Sequence, residues 1–287
     1  MLKQYLKLMR VHHYIKNLLV FAALICSGEL FHSNLFLSCL IGFFAFCFIS
    51  SVVYILNDLR DVEKDRNHPI KCRRPIASGT IAPWQAWITA AVLLVVASAL
   101  LIILGSWKAG ALLALYLVLN MGYSFGLKDV PLIDITILTA GFLIRVLFGA
   151  TLAGIQVSNW LYLTVMTLAM YFSLGKRRNE HRKLKDSDTR KVLKAYPIGF
   201  LDKSMWMCLG LANVFYALWC IDSQTIAAYH TDRLAFTVPI VLLITLKYSM
   251  NLEGESDGDP VEVLLHDWIL LGLCLLLGVV LLTVLYL

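Results

Sequence analysis

Charge is what this chain has little of. Asp, Glu, Lys and Arg make up only 15% of its 287 residues, against about 25% in an ordinary soluble domain. Leu35–Leu56, Gln85–Gly105, Ala109–Leu127 and Ile269–Leu287 hold no charged residue, and each is close to the roughly 20 residues that cross a bilayer. That pattern excludes a soluble globular domain. Cys-x-x-Cys pairs are absent from the seven cysteines, six of which lie in or beside apolar segments. Their placement argues against a disulfide framework or a thiolate zinc site and for small buried side chains. Internal repeats and low-complexity tracts are also missing, and the longest polar stretch, Lys176–Lys203, is loop-length. The basic loops lack interleaved aromatics, which argues against a nucleic-acid partner.

What is present is apolar: 59% hydrophobic residues and a mean hydropathy of +0.74. The spans drawn from this are Tyr14–Phe31, Leu35–Asn57, Gln85–Gly105, Ala109–Tyr123, Leu132–Gly154, Trp160–Leu174, Ser204–Ile221, Leu234–Met250 and Leu264–Leu287. The expected fold is all-α: one integral membrane domain over residues 1–287, a polytopic bundle of about nine transmembrane helices with cytoplasmic active-site loops. No small-residue cleavage site follows Lys3, Lys7 and Arg10, so the first span reads as uncleaved. All but Lys108, Arg145 and Arg233 of the 25 Lys and Arg fall in the N-terminal segment or at the ends and loops following even-numbered spans. The positive-inside rule then predicts a multi-pass cell-membrane protein with its N-terminus and charged loops cytoplasmic and its C-terminus outside. The net charge of +6 belongs to one face and suits anionic headgroups or phosphorylated substrates.

The most informative run is Asn57-Asp58-x-x-Asp61-x-x-x-Asp65, directly after an uncharged apolar segment. At about 100° per residue these four side chains share one helical arc of roughly 100°. Three carboxylates and an amide repel one another unless a cation sits among them, and hard oxygen ligands suit Mg2+. A solvated acidic helix end is the bland alternative. Arg66, Lys71, Arg73 and Arg74 follow at once, so acids of metal type stand beside bases of phosphate type, with Arg offering bidentate geometry. Some of these bases also satisfy the positive-inside rule.

Further along, Tyr123-Ser-Phe-Gly-Leu-Lys128 leads to Asp134, an acid just inside the next apolar run. Arg145 lies near the middle of that span, and both are costly in a membrane unless partnered or functional. Lys176, Arg177 and Glu180 open the third basic loop on one side of a helical turn. Residues 182–194 read as attraction to the anionic inner leaflet. The loop Asn251–Asp267 is acidic, an offset to the basic loops or a lid. Arg10, Lys16 and Asn17 open the first span, with Lys16 one and a half turns beyond Arg10.

Taken together these segments resemble the UbiA prenyltransferase superfamily over essentially the whole chain. The residues carrying the resemblance are Arg10 with Lys16-Asn17-Leu-Leu-Val-Phe-Ala, the Asp motif running into Arg74-Pro-Ile-Ala-Ser-Gly, Tyr123-Ser with Leu127-Lys128 and Asp134, Gly141-Phe-Leu-Ile-Arg145, and Gly175-Lys-Arg. The likeness is greatest to the branch that uses phosphoribosyl diphosphate. Aromatic prenyltransferases of the superfamily carry a second Asp-x-x-x-Asp after span six, where this chain has Lys176-Arg177, and Asp186 and Asp188 are too closely spaced for that pattern. His12-His13-Tyr14 departs from the branch's usual entry. The resemblance implies Mg2+ held by Asn57, Asp58, Asp61 and Asp65, with Asp58, Asp61 and Asp134 catalytic. It implies substrate contacts from Lys16, Lys71, Arg73, Arg74, Tyr123, Lys128, Arg145, Lys176 and Arg177, and Lys128, Arg145, Lys176 and Arg177 are expected to complete a cytoplasm-open cavity with Lys16. The expected reaction moves 5-phosphoribose from phosphoribosyl diphosphate to a polyprenyl phosphate lipid, a precursor of ribosyl or arabinosyl donors for cell-surface glycans. A homo-oligomer is compatible with this reading. The rivals are transfer of a prenyl group from its diphosphate to an aromatic acceptor, and a lipid or anion transporter without chemistry. A transporter would place ionisable residues at the midplane, where only Arg145 lies.

Overall fold

A computed structural model describes residues 1–69, 71–183, 191–254 and 258–286. Asp186, Asp188 and Asp257 therefore lie outside the described residues. Contacts divide the chain into two compact units, residues 1–126 with 144–156, and residues 127–143 with 157–287.

The first unit is organised around one long helix. A short helix, α1 (Leu2–Leu8), is followed by a 3-10 segment, Val11–Phe21, that runs into α2 (Ala22–Ile25). Next come α3 (Ser33–Arg60), α4 (Val62–Arg66), α5 (Pro83–Leu104) and α6 (Trp107–Ser124). Helix α3 is buried along much of its length because α5, α6 and the 3-10 segment all pack on it. Phe46 and Phe148 meet edge to face at its centre, 5.4 Å between centroids. Helix α5 is apolar all round and largely exposed, as a helix against lipid is.

The 3-10 segment sets two polar side chains in line toward α3. At three residues per turn, side chains three apart stack in one line. Tyr14 and Asn17 do so: Tyr14 bonds Ser51 (2.8 Å) and Asn17 donates to Cys47 Sγ (3.2 Å), while the backbone of Val20, three residues on, lies against Gly149. A Cβ on Gly149 would lie 1.7 Å from the Val20 carbonyl oxygen, so glycine is obligatory there.

Helix α7 (Ile133–Ala153) gives its first half to the second unit and its second half to the first. The second unit continues with α8 (Asn159–Lys183), α9 (Lys191–Lys194), α10 (Ile198–Ile221), α11 (Ser223–Tyr229), α12 (Val238–Glu253), α13 (Pro260–Leu265) and α14 (Trp268–Tyr286). Helices α8 and α10 lie side by side, α12 joins them, and Tyr171, Leu201, Met205, Tyr248 and Leu252 form the core. Gly258, with φ +74°, lets the following loop touch the α8 backbone, where a Cβ would come within 2.9 Å of Lys176 Cα.

Six helices among the described residues are long and apolar enough to cross a membrane: Ser33–Arg60, Pro83–Leu104, Ile133–Ala153, Ile198–Ile221, Arg233–Glu253 and Trp268–Tyr286. The chain is an integral membrane protein. The expected count of nine is not confirmed among the described residues by length and hydropathy alone. Three expected spans fall on elements that miss the length or hydropathy condition, each with a physical reason. Val11–Ile25 is short in residues, although 3-10 geometry stretches its first part at about 2.0 Å per residue. Helix α6 has only 18 residues and includes Asn120, and α8 ends in a run of cations from Lys176.

Candidate active site

The acidic run forms where α3 gives way to α4. The helical hydrogen bonds continue through the break, Asp61 N–H to Asn57 O at 3.0 Å and Asp65 N–H to Asp61 O at 2.8 Å, so the one-face arrangement survives it. Asp58 and Asp65 are both buried, and Asp61 is half-buried. Arg74 reaches back from the following loop and its Nη1 donates to Asp58 Oδ1 (3.0 Å) and to Asp65 Oδ2 (2.6 Å). Arg10 adds a second bond to Asp58 Oδ1, 2.7 Å from Nη2. Its left-handed backbone (φ 52°) turns the chain between α1 and the 3-10 segment, and its guanidinium stacks 4.6 Å over Tyr54. Asn57 Oδ1 accepts from Ser124 Oγ at 3.1 Å.

The loop bearing Lys71, Arg73 and Arg74 is fixed by backbone contacts. Lys7 Nζ donates to Arg73 O (2.9 Å), and the exposed Lys71 gives its N–H to His68 Nδ1 (3.3 Å). Partial burial, then the Lys71 charge, holds the His68 pKa below its ordinary value, which keeps that ring an acceptor at neutral pH.

Arg145 is buried in the same unit. Its Nε donates to Asn17 Oδ1 (2.7 Å) and its Nη2 to Tyr116 OH (3.2 Å), while the rings of Phe46 and Tyr116 lie 4.9 and 5.0 Å from its guanidinium carbon. Hydrogen bonds and π faces together make a buried cation tolerable. Lys16 and Tyr123 are half-buried in this unit.

In the second unit Asp134 and Arg177 form a fully buried pair, Nε to Oδ2 at 2.5 Å, and Arg177 Nη1 also meets Glu180 Oε2 at 2.6 Å. Tyr196 completes the network: its hydroxyl donates to Asp134 Oδ1 (2.6 Å) and accepts the Leu132 N–H (2.5 Å). Leu132 holds φ 66°, a left-handed conformation that a leucine adopts only when its surroundings impose it. Burial, followed by the bond to Asp134, pushes the Tyr196 phenol up to about 12. Arg178, one residue on, bridges Asp202 and Glu253. Lys128, in a 3-10 turn, and Lys176 are half-buried.

Arg10, Ser124, Tyr196 and Arg178 stood outside the expected site residues. Arg10 shows in the sequence at the opening of the first span and in the family likeness, with no partner readable locally. Ser124 belongs to the Tyr123-Ser pair of that likeness, while Tyr196 and Arg178 carry no local signal, since their partners lie 24 to 75 residues away in sequence.

The UbiA prenyltransferase family model matches residues 18–264. This chain belongs to the UbiA prenyltransferase family. It is 33% identical to the decaprenyl-phosphate phosphoribosyltransferase of Corynebacterium glutamicum over 282 residues, covering 94% of this chain and 83% of that protein. The enzyme of the same name from Mycolicibacterium smegmatis is 33% identical over 286 residues, 92% of this chain and 87% of the relative. Among solved structures, a UbiA homolog from Archaeoglobus fulgidus bound to GPP and Mg2+ superposes with a TM-score of 0.70 at 18% identity, covering 98% of this chain and 99% of that one. The same homolog bound to DMAPP and Mg2+ gives 0.71. At that identity the likeness establishes the UbiA fold.

Metal chemistry fits the donor set. Among the described residues no three His, Cys, Asp or Glu side chains converge as a ready metal site. Yet Asp58 and Asp65 present oxygens to one shared cationic nitrogen, and hard anionic oxygens beside an amide are what Mg2+ selects.

Proposed function

We propose that this UbiA-family protein is a Mg2+-dependent phosphoribosyltransferase that moves 5-phosphoribose from phosphoribosyl diphosphate to a polyprenyl phosphate and releases diphosphate. The observation that carries it is 33% identity over 94% of the chain to a relative named for that reaction. Replacement of a second Asp-x-x-x-Asp by Lys176-Arg177 supports it over prenyl transfer to an aromatic acceptor.

Asn57, Asp58, Asp61 and Asp65 would hold Mg2+, which supplies Lewis-acid stabilisation of the departing diphosphate. Arg74, bonded to both Asp58 and Asp65, would leave that pair and neutralise phosphate oxygens when the acids take up a metal. Lys71 and Arg73, exposed beside it, meet the donor's anionic groups. Lys16, Tyr123, Lys128, Arg145, Lys176 and Arg177 supply further donors to the phosphates or to the groups that hold them. Asp134 acts through the Arg177 and Tyr196 it fixes. An oxygen of the lipid phosphate attacks C1 of the ribose, the C1–O bond to diphosphate breaks, and its electron pair leaves with diphosphate. The nucleophile is ionised at neutral pH, so no dedicated base is needed. The N-terminus and this chemistry lie on the cytoplasmic side.

Purified protein given Mg2+, phosphoribosyl diphosphate and polyprenyl phosphate is expected to form a ribosylated lipid and diphosphate in equal amounts. EDTA abolishes both. Consumption of geranyl diphosphate with an aromatic acceptor, and none of phosphoribosyl diphosphate, would replace this reading with the prenyl-transfer one.

A further inference from the structure

On α3 and its continuation, Leu56, Leu59, Arg60 and Glu63 fall on an arc opposite to Asn57, Asp58, Asp61 and Asp65, at about 100° per residue. That reverse face forms one side of an open groove of about 470 Å3 within the first unit. Met121 and Phe125 from the end of α6 and Trp87 from the start of α5 supply its other apolar walls. Trp87 and Phe125 are exposed. Arg60 and Arg66 sit on the rim, Arg60 stacked 4.8 Å over the Phe125 ring and Arg66 bonded to Glu63 at 3.0 Å.

We propose that this groove binds an anionic phospholipid of the cytoplasmic leaflet, its phosphodiester on the Arg60–Arg66 rim and its first acyl carbons along Leu56, Leu59, Trp87 and Met121. Three observations select that occupant. The groove lies where α3 and α6 end and α5 begins, the depth at which tryptophan and arginine meet headgroups. Two arginines against one glutamate leave the rim one net positive charge. That matches the single negative charge of a phosphodiester better than the −1.5 to −2 of a phosphomonoester such as polyprenyl phosphate. Guanidinium groups also offer phosphate a bidentate fork. The site is distinct from the acidic face, yet connected to it. Ser124 lines the groove and donates to Asn57 Oδ1 at 3.1 Å, so an occupant is one hydrogen bond from the proposed metal set.

Native mass spectrometry of the detergent-solubilised full chain, titrated with phosphatidylglycerol, phosphatidylcholine, polyprenyl phosphate or inorganic phosphate, tests this without reference to turnover. One phosphatidylglycerol is expected to be retained in preference to phosphatidylcholine. At about 1 kcal/mol for each basic residue near a headgroup, Arg60→Ala should weaken retention about fivefold and Arg60→Ala with Arg66→Ala about thirtyfold. Met121→Trp, which fills the groove without changing charge, should displace the same lipid. Equal retention by wild type and the double variant overturns the proposal, as does displacement of phosphatidylglycerol by an equal concentration of polyprenyl phosphate or by inorganic phosphate. The competition arms use the wild-type chain and decide the matter even where a variant fails to fold.

Discussion

Two acid–arginine clusters, one in each unit, use the same chemistry and differ in access. In the first, Asp58 and Asp65 are 3% and 5% exposed, but their partners Arg10 and Arg74 are 20% and 24% exposed. In the second, Asp134 and Arg177 are both at 0%. A guanidinium that reaches solvent leaves its carboxylate at modest cost, and a cation or a phosphate can then take the vacated partner. A sealed pair has no such exchange, because either group alone would be a buried uncompensated charge. The open cluster is thus suited to binding and release, and the sealed one to holding backbone in place.

The largest effect expected from that contrast is on stability. Asp134→Ala strands Arg177 in the interior with Glu180 as its remaining acid, and should cost about 3–5 kcal/mol, read as a lower melting temperature in detergent. If Asp134→Ala melts like wild type and loses only turnover, the sealed cluster has been misread and Asp134 works directly on substrate. Asp58→Ala should show the reverse pattern. Turnover is expected to drop at least about a hundredfold, the scale of lost charge stabilisation, while melting changes little because Arg10 and Arg74 turn to water. A melting loss equal to that of Asp134→Ala would erase the distinction between the clusters.

How much of this was legible in the sequence follows from the range of each interaction. The acidic face was readable because a helix repeats locally, and Asp61 N–H to Asn57 O and Asp65 N–H to Asp61 O keep that repeat through a helix break. Arg74, nine residues from Asp65, was within reach of the same reasoning. Arg145 announced itself by the cost of charge in an apolar span, but nothing local pointed to Tyr116 or to the pairing with Asn17, 128 residues away. Membrane character followed from uncharged runs. The span count is not confirmed, since hydropathy carries no information on a 3-10 segment such as Val11–Phe21, whose Tyr14 and Asn17 bond Ser51 and Cys47 on another element. Tyr196 was invisible for the same reason, 62 residues from the aspartate it serves.

Tyr196 gives the smallest and sharpest test of the sealed cluster. Tyr196→Phe removes the donor to Asp134 and the acceptor for the Leu132 N–H, and should cost about 1.5–3 kcal/mol, the range for hydrogen bonds to charged groups. The pH dependence separates this from lost packing. Burial and the Asp134 bond raise the folded phenol to about 12 from the ordinary 10. A group raised on folding stabilises fully below its unfolded pKa, and that contribution fades as pH climbs through the folded one. The melting difference between wild type and Tyr196→Phe should therefore hold steady up to about pH 10 and shrink toward pH 12. A difference that stays constant across that window would mean the phenol's contribution is shape alone, with Leu132 and Asp134 held in place by other contacts.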